Sequence, residues 1–278
     1  MSEHLLDFQD VHLAFAGVKA IDGVSFHVDD GELYSIIGPN GAGKTSIFNC
    51  LNGVYRPQQG RILWQGRPLP RKPHRIAREG IARTFQNIEL FAAMTVLNNL
   101  MLGRHHLMRT SWLSAGIWIG RAQREEVENR RKVEEIIDFL EIEAYRMHPV
   151  ALLPHGIQKR VELGRALAME PKLLLLDEPV SGMNLEETED MARFILDIKE
   201  ELGIAIILVD HDMGLVMDIA DRIMVLDFGR KIAEGTPEVV QQDPEVIRAY
   251  LGEEFEREEL KVADAEALQA AEVEALGG

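Results

Sequence analysis

Gly38-Pro39-Asn40-Gly41-Ala42-Gly43-Lys44-Thr45 decides how this chain is read. The stretch fits G-x-x-x-x-G-K-[ST], in which glycines let the backbone wrap with its N–H groups inward as a nest for phosphate oxygens. Before it, Leu33 to Ile37 is an apolar run of strand length. After it, a helix beginning at Lys44 and running through Leu51 adds the positive end of its dipole to the nest. Lys44 supplies a point charge for β- and γ-phosphates, the Thr45 hydroxyl suits Mg²⁺, and Ser46 offers a further hydroxyl. The loop therefore implies a nucleotide-binding α/β protein.

Working outward, short apolar runs alternate with helical patterns, as in an α/β fold with buried strands. Arg61 to Trp64, Ile81 to Phe85, Leu173 to Leu176 and Ala205 to Val209 read as strands. Leu185 to about Glu201 reads as a helix, with Asn184 as its cap and Glu187 as the reciprocal box partner. From about residue 94 to 168 the pattern is mostly helical, which suggests a helical subdomain inserted into the sheet domain. Within it, Val127, Val133, Ile136, Ile137 and Leu140 fall near one face of a helix over Arg121 to Leu140. Trp112, Leu113, Ile117, Trp118 and Ile119 form an apolar patch expected to pack inside that subdomain. Thr236-Pro237-Glu238 and Asp243-Pro244-Glu245 each place a capping side chain before a proline and start two short helices, the second ending at Gly252.

Composition narrows the function. Of 278 residues, 46% are hydrophobic and 27% charged, as in a globular protein. Cys50 is the single cysteine, so no internal disulfide forms; its apolar neighbours Ile47, Phe48 and Leu51 make it a buried hydrophobe. No signal-peptide pattern opens the chain, and no run approaches the ~20 apolar residues of a membrane helix. Work at a membrane would need a docking partner. The net charge of −16 argues against nucleic acid, whose phosphates require Lys and Arg. Residues 253–278, with nine acids and two bases, read as a solvated acidic Ala/Glu-rich tail.

A second element joins the glycine loop. Leu173-Leu174-Leu175-Leu176 would deliver Asp177 and Glu178 at the C-terminal edge of a buried strand, where ligands collect in parallel sheets. Asp177 would hold Mg²⁺ through water, and Glu178 would polarise the attacking water as general base. Acids after a strand are common; beside a phosphate loop they supply the metal anchor and oriented nucleophile that phosphoryl transfer needs.

Gly38 to Thr45, Thr84-Phe85-Gln86, Leu176-Asp177-Glu178-Pro179 and Val209-Asp210-His211-Asp212 resemble, in order and spacing, the ATPase subunits of ABC transporters. The resemblance covers about residues 5 to 252 and implies a P-loop NTPase domain over 1–252, with an antiparallel β subdomain and the inserted helices. It implies that ATP and Mg²⁺ are the ligands. By resemblance, Gln86 reaches Mg²⁺ and the attacking water and senses a membrane partner, while His211 contacts the γ-phosphate. Phe15 matches the aromatic that stacks on adenine; a core phenylalanine is the rival reading. The family's Leu-Ser-Gly-Gly-Gln signature, which meets the γ-phosphate of the opposite subunit, corresponds to Leu153-Pro154-His155-Gly156-Ile157. Pro154 lacks both a hydroxyl and an N–H, which implies a weaker γ-phosphate clamp. Asn184 stands where the family usually has aspartate.

Ala82-Arg83-Thr84-Phe85-Gln86-Asn87, His211-Asp212-Met213 and the stretch Asp243 to Gly252 look like the branched-chain amino acid importer branch. So does the insert from Gly103 to Arg124. This likeness implies a second ATPase subunit, two membrane permeases and an external substrate-binding protein, with the chain peripheral on the cytoplasmic face of the inner membrane. Two rivals are a soluble ABC-type ATPase of a cytoplasmic assembly and a nucleotide-gated module with little hydrolysis. Only about 130 residues separate Lys44 from Asp177, too few for the long coiled coil of chromosome-maintenance relatives. Asp177, Glu178, Gln86 and His211 argue against a module that does not hydrolyse.

Overall fold

The apolar runs around the glycine loop become neighbouring strands of one sheet in the computed structural model, which describes residues 4–84, 89–107 and 121–250. β1 (Leu6–Phe15), β2 (Val18–Val28) and β3 (Leu33–Ile37) lead into α1 (Lys44–Leu51). β4 (Gln59–Trp64), β5 (Arg67–Pro68), α2 (Pro73–Arg78) and β6 (Ile81–Arg83) follow. Then come α3 (Val96–Gly103), α4 (Arg121–Phe139) and α5 (His155–Leu167). The αβ rhythm resumes with β7 (Leu173–Asp177), α6 (Leu185–Glu200), β8 (Ala205–Val209) and α7 (Met213–Ile219). β9 (Arg222–Asp227), β10 (Arg230–Gly235), α8 (Pro237–Gln241) and a helix over 244–250, α9, complete the described chain.

A six-stranded sheet has the order β10-β9-β3-β8-β7-β6, parallel except for β10. A four-stranded antiparallel sheet has the order β2-β1-β4-β5. The parallel strands are apolar on both faces, as expected where both are covered. Their period-two alternation divides them between two cores. Leu33, Ile37, Leu174, Leu176, Ile206 and Leu208 pack with Leu100, Ile137, Val161 and Phe194 of the helices. Tyr34, Ile36, Leu173, Leu175, Ile207 and Val209 pack with Ile47 and Phe48 of α1 and with Phe8 and Phe26 of the antiparallel sheet. The six-stranded sheet is thus the middle layer.

The strand order also fixes the site. β8 lies between β3 and β7, and Asp177 pairs with Val209, so the loops leaving these three strands open on one edge. Arg104, buried at the end of α3, ties α3 to α4 and to the end of α5. Its Nε donates to Asn129 Oδ1 at 2.6 Å, and its Nη1 donates to Ala168 O at 3.1 Å.

Some expectations need correction. Val127 does not share the buried face of α4: it is 64% exposed, while Val133, Ile137 and Leu140 are buried. Val127 lies six residues before Val133, about 120° round the helix from it, and so falls off the buried stripe. Thr236 sits at the cap of α8, but its side chain accepts no backbone N–H there; Pro237 at the first turn supplies the start. Asn184 and Glu187 form the reciprocal box read from the sequence. Phe85, the patch from Trp112 to Ile119, Gly252 and the acidic tail lie outside the described residues.

Candidate active site

The loop after β3 requires glycine at its two ends. A Cβ on Gly38, whose φ is 144°, would lie 2.0 Å from Leu226 O. One on Gly43, with φ 111°, would lie 2.5 Å from Ala20 O. Backbone obstructs both, so no rotamer change relieves the clash. Gly229 N donates to Ala42 O at 2.9 Å, fastening the loop to the β9–β10 turn. Lys44 is buried at the start of α1, and its Nζ donates to Pro39 O at 3.0 Å and also to Gly38 O, so the ammonium turns into the loop.

Two carboxylates stand across from this loop. Asp177 ends β7 and is buried; its Oδ2 accepts from Arg83 Nη2 at 2.7 Å. Glu178 follows with φ 49°, a left-handed conformation that costs a non-glycine residue on the order of 1 kcal/mol or more. Glu178 N donates to Val209 O at 2.7 Å, which holds this bend. The Glu178 side chain meets His211, with Oε1 2.9 Å from Nε2. Asp210 sets that histidine: its Oδ1 accepts from His211 N at 2.7 Å and Asp212 N at 2.9 Å. Burial raises the pKa of Asp210, and these backbone N–H groups oppose the rise.

A third feature lies beyond the acids. Pro154 occupies the cap of α5 and gives no side-chain cap, so the helix begins at His155 without a capping hydroxyl. Gly156 is buried beneath Glu187: a Cβ there would lie 2.4 Å from Glu187 Oε1. Leu153 is buried, its carbonyl accepting from Gln158 Nε2 at 2.8 Å, while Ile157 packs against the helical core. Gly182, with φ 77°, faces the His155 ring, its would-be Cβ 3.2 Å from Cε1. The starts of α5 and α6 therefore fit together as one unit.

A family model described as ABC transporter matches residues 21–181, more than half of the chain. The chain belongs to the ABC transporter ATP-binding family. A second model, branched-chain amino acid ATP-binding cassette transporter, matches residues 230–256. The chain is 40% identical over 257 residues to the high-affinity branched-chain amino acid transport ATP-binding protein LivG of Escherichia coli, covering 91% of this chain and 100% of LivG. It is 38% identical over 254 residues to the corresponding BraF protein of Pseudomonas aeruginosa, again with 91% and 100% covered. Among solved structures, it resembles the ADP conformation of MJ1267, an ATP-binding cassette of an ABC transporter. There the TM-score is 0.78 and the identity 30%, over 90% of this chain and 100% of that one. As a member of this family the chain is an ATP-binding subunit and an ATPase.

The cassette brings most of the sequence-named residues together. The Gly38 to Ser46 loop, Asp177, Glu178 and His211 leave adjacent strands at one edge of the sheet. Phe15 ends β1 and is 44% exposed, edge-on to Tyr55 with ring centroids 4.9 Å apart; this removes the core reading and leaves an available aromatic face. Gln86 lies outside the described residues. The sequence reading gave no role to Arg83, Asn49 or Lys159. Arg83 had a visible signal, a cation at the end of an otherwise apolar strand, which burial obliges to find an anion. Asn49 takes its Nη1 at 2.7 Å, and Lys159 Nζ donates to Glu178 O at 3.3 Å.

Proposed function

We propose that this cassette hydrolyses ATP to power import of branched-chain or related hydrophobic amino acids. It would act as one of two cassettes beneath two membrane permeases supplied by an external binding protein. Among the described residues no helix is long and apolar enough to cross a membrane, in keeping with a peripheral seat on the cytoplasmic face. The likeness to LivG and BraF over nine-tenths of the chain supports the cargo.

For the chemistry, the carrying observation is the 2.9 Å contact between Glu178 Oε1 and His211 Nε2 beside the glycine loop. In this reading the loop amides and Lys44 bind the β- and γ-phosphates, Ser46 adds a hydroxyl, and Phe15 stacks on adenine. Glu178 takes the proton of the attacking water, while His211 orients Glu178 and contacts the γ-phosphate. Gln86 would complete the water's position and report on the permease.

Thr45 and Asp177 would hold Mg²⁺ together with Gln86, a set of hard oxygen donors that suits this ion. A cation already lies against Asp177 in the form of Arg83, so the carboxylate's surroundings accept positive charge. Bound there, Mg²⁺ would neutralise charge on the phosphoryl oxygens. The segment Leu153, Pro154, His155, Gly156 and Ile157 would face the γ-phosphate held by the second cassette. Its helix N-terminus would supply N–H groups and dipole without the usual hydroxyl.

Reconstitution with membrane permeases of a branched-chain amino acid importer tests this directly. Leucine, isoleucine or valine uptake that depends on ATP and fails with Lys44→Ala is the expected result. ATP hydrolysis without any membrane partner's influence would favour the soluble-assembly alternative.

A further inference from the structure

Arg83 ends β6, three residues before Gln86, and its guanidinium lies between the two elements that carry the metal donors. Nη2 donates to Asp177 Oδ2 on β7 and Nη1 to Asn49 Oδ1 on α1, each at 2.7 Å. Asn49 is four residues beyond Thr45, so the two share a face of α1. The Phe48 ring packs against the guanidinium, 5.4 Å from its carbon, and the side chain is only 7% exposed. The next residue grips the same aspartate by its backbone. Thr84 Oγ1 accepts from Asp177 N at 3.3 Å, and Thr84 N donates to Leu175 O at 2.9 Å.

We propose that Arg83 is a positioning residue of the metal site: it holds the Asp177 carboxylate aimed at α1 and shares it with the incoming divalent cation. The inference rests on Asp177 being the metal anchor, as read above. Two cations competing for one carboxylate in a water-poor setting repel each other strongly. Metal binding must therefore loosen the Arg83 contact. A planar fork is needed to reach Asn49 and Asp177 at once, which a lysine cannot do.

The test titrates Mg²⁺ into the full chain with a fluorescent ATP analogue, following nucleotide binding and melting temperature instead of turnover. Arg83→Gln removes the competing charge but keeps an N–H donor for Asp177, so half-saturation should fall to a roughly threefold lower Mg²⁺ concentration. Arg83→Met loses the charge and the tie together, and its midpoint should lie above that of Arg83→Gln. An unmoved or raised midpoint in folded Arg83→Gln overturns the proposal, leaving Arg83 a plain structural tie. Asp177→Asn separates the two layers of argument. If it leaves the midpoint of the unmodified chain unchanged, the metal reading of Asp177 fails. If it raises the midpoint while the Arg83 variants do nothing, only the role of Arg83 fails.

Discussion

Glu187 closes over Gly156: a methyl group added to that glycine would stand 2.4 Å from the Glu187 Oε1. The same carboxylate accepts Asn184 N at 3.1 Å, while Asn184 Oδ1 accepts Glu187 N at 3.0 Å. The start of the signature helix and the capping box of α6 are thus one packed unit. Gly156→Ala must push Glu187 out of the box and should cost about 1 kcal/mol, the usual worth of a cap. Chemical denaturation measures this. In Glu187→Ala the same glycine change should cost much less, and equal costs in both backgrounds would show that the contact is not the cause.

Pro154 leaves the α5 N-terminus without a hydroxyl or its own N–H. Pro154→Ser should raise ATPase of the assembled transporter by about fivefold, the equivalent of one added hydrogen bond near 1 kcal/mol. Steady-state phosphate release checks it. An unchanged or lower rate would mean that this segment is not a weakened clamp.

Asn99 is fully buried in α3 and ties down the chain that follows the Gln86 segment. Its Nδ2 donates to Phe91 O at 3.2 Å and Thr95 O at 3.1 Å, and its Oδ1 accepts Phe91 N at 2.9 Å. Asn99→Leu removes these bonds and should destabilise the fold by about 1–3 kcal/mol, read from urea unfolding.

Burial pushes the Cys50 thiol up to about 12. The folded chain therefore holds this proton more tightly than the unfolded one. That contribution to stability is intact below the ordinary thiol range and is lost as pH rises toward about 12. At pH 8 iodoacetamide should leave Cys50 unmodified in the folded chain and label it on denaturation; rapid labelling of folded chain would contradict the burial.

The edge that carries the glycine loop was legible because its strands are short apolar runs followed at once by distinctive residues, the glycine loop after β3 and acids at the ends of β7 and β8. Leu33 to Ile37 and Ala205 to Val209 were bounded correctly for that reason. The antiparallel sheet was legible only through family resemblance, apart from the Arg61 to Trp64 strand. In β1, Asp10 adopts φ 46° and the register shifts between Phe8 and Val11, so the alternation Leu6, Phe8 does not continue to Asp10 but resumes at Val11 and Leu13. A bulge of this kind hides a strand from period-two counting. The role of Arg83 was not legible, since its partners Asn49 and Asp177 lie 34 and 94 residues away.

The central claim is that Glu178, held against His211 at 2.9 Å, drives hydrolysis at the glycine loop. Its most direct test is Glu178→Gln in the assembled transporter, comparing ATP binding with turnover. Binding should persist, the cassettes should stay closed on ATP, and turnover should fall by roughly 10²–10⁴-fold, the range for a lost general base. Full turnover by that variant would contradict the account.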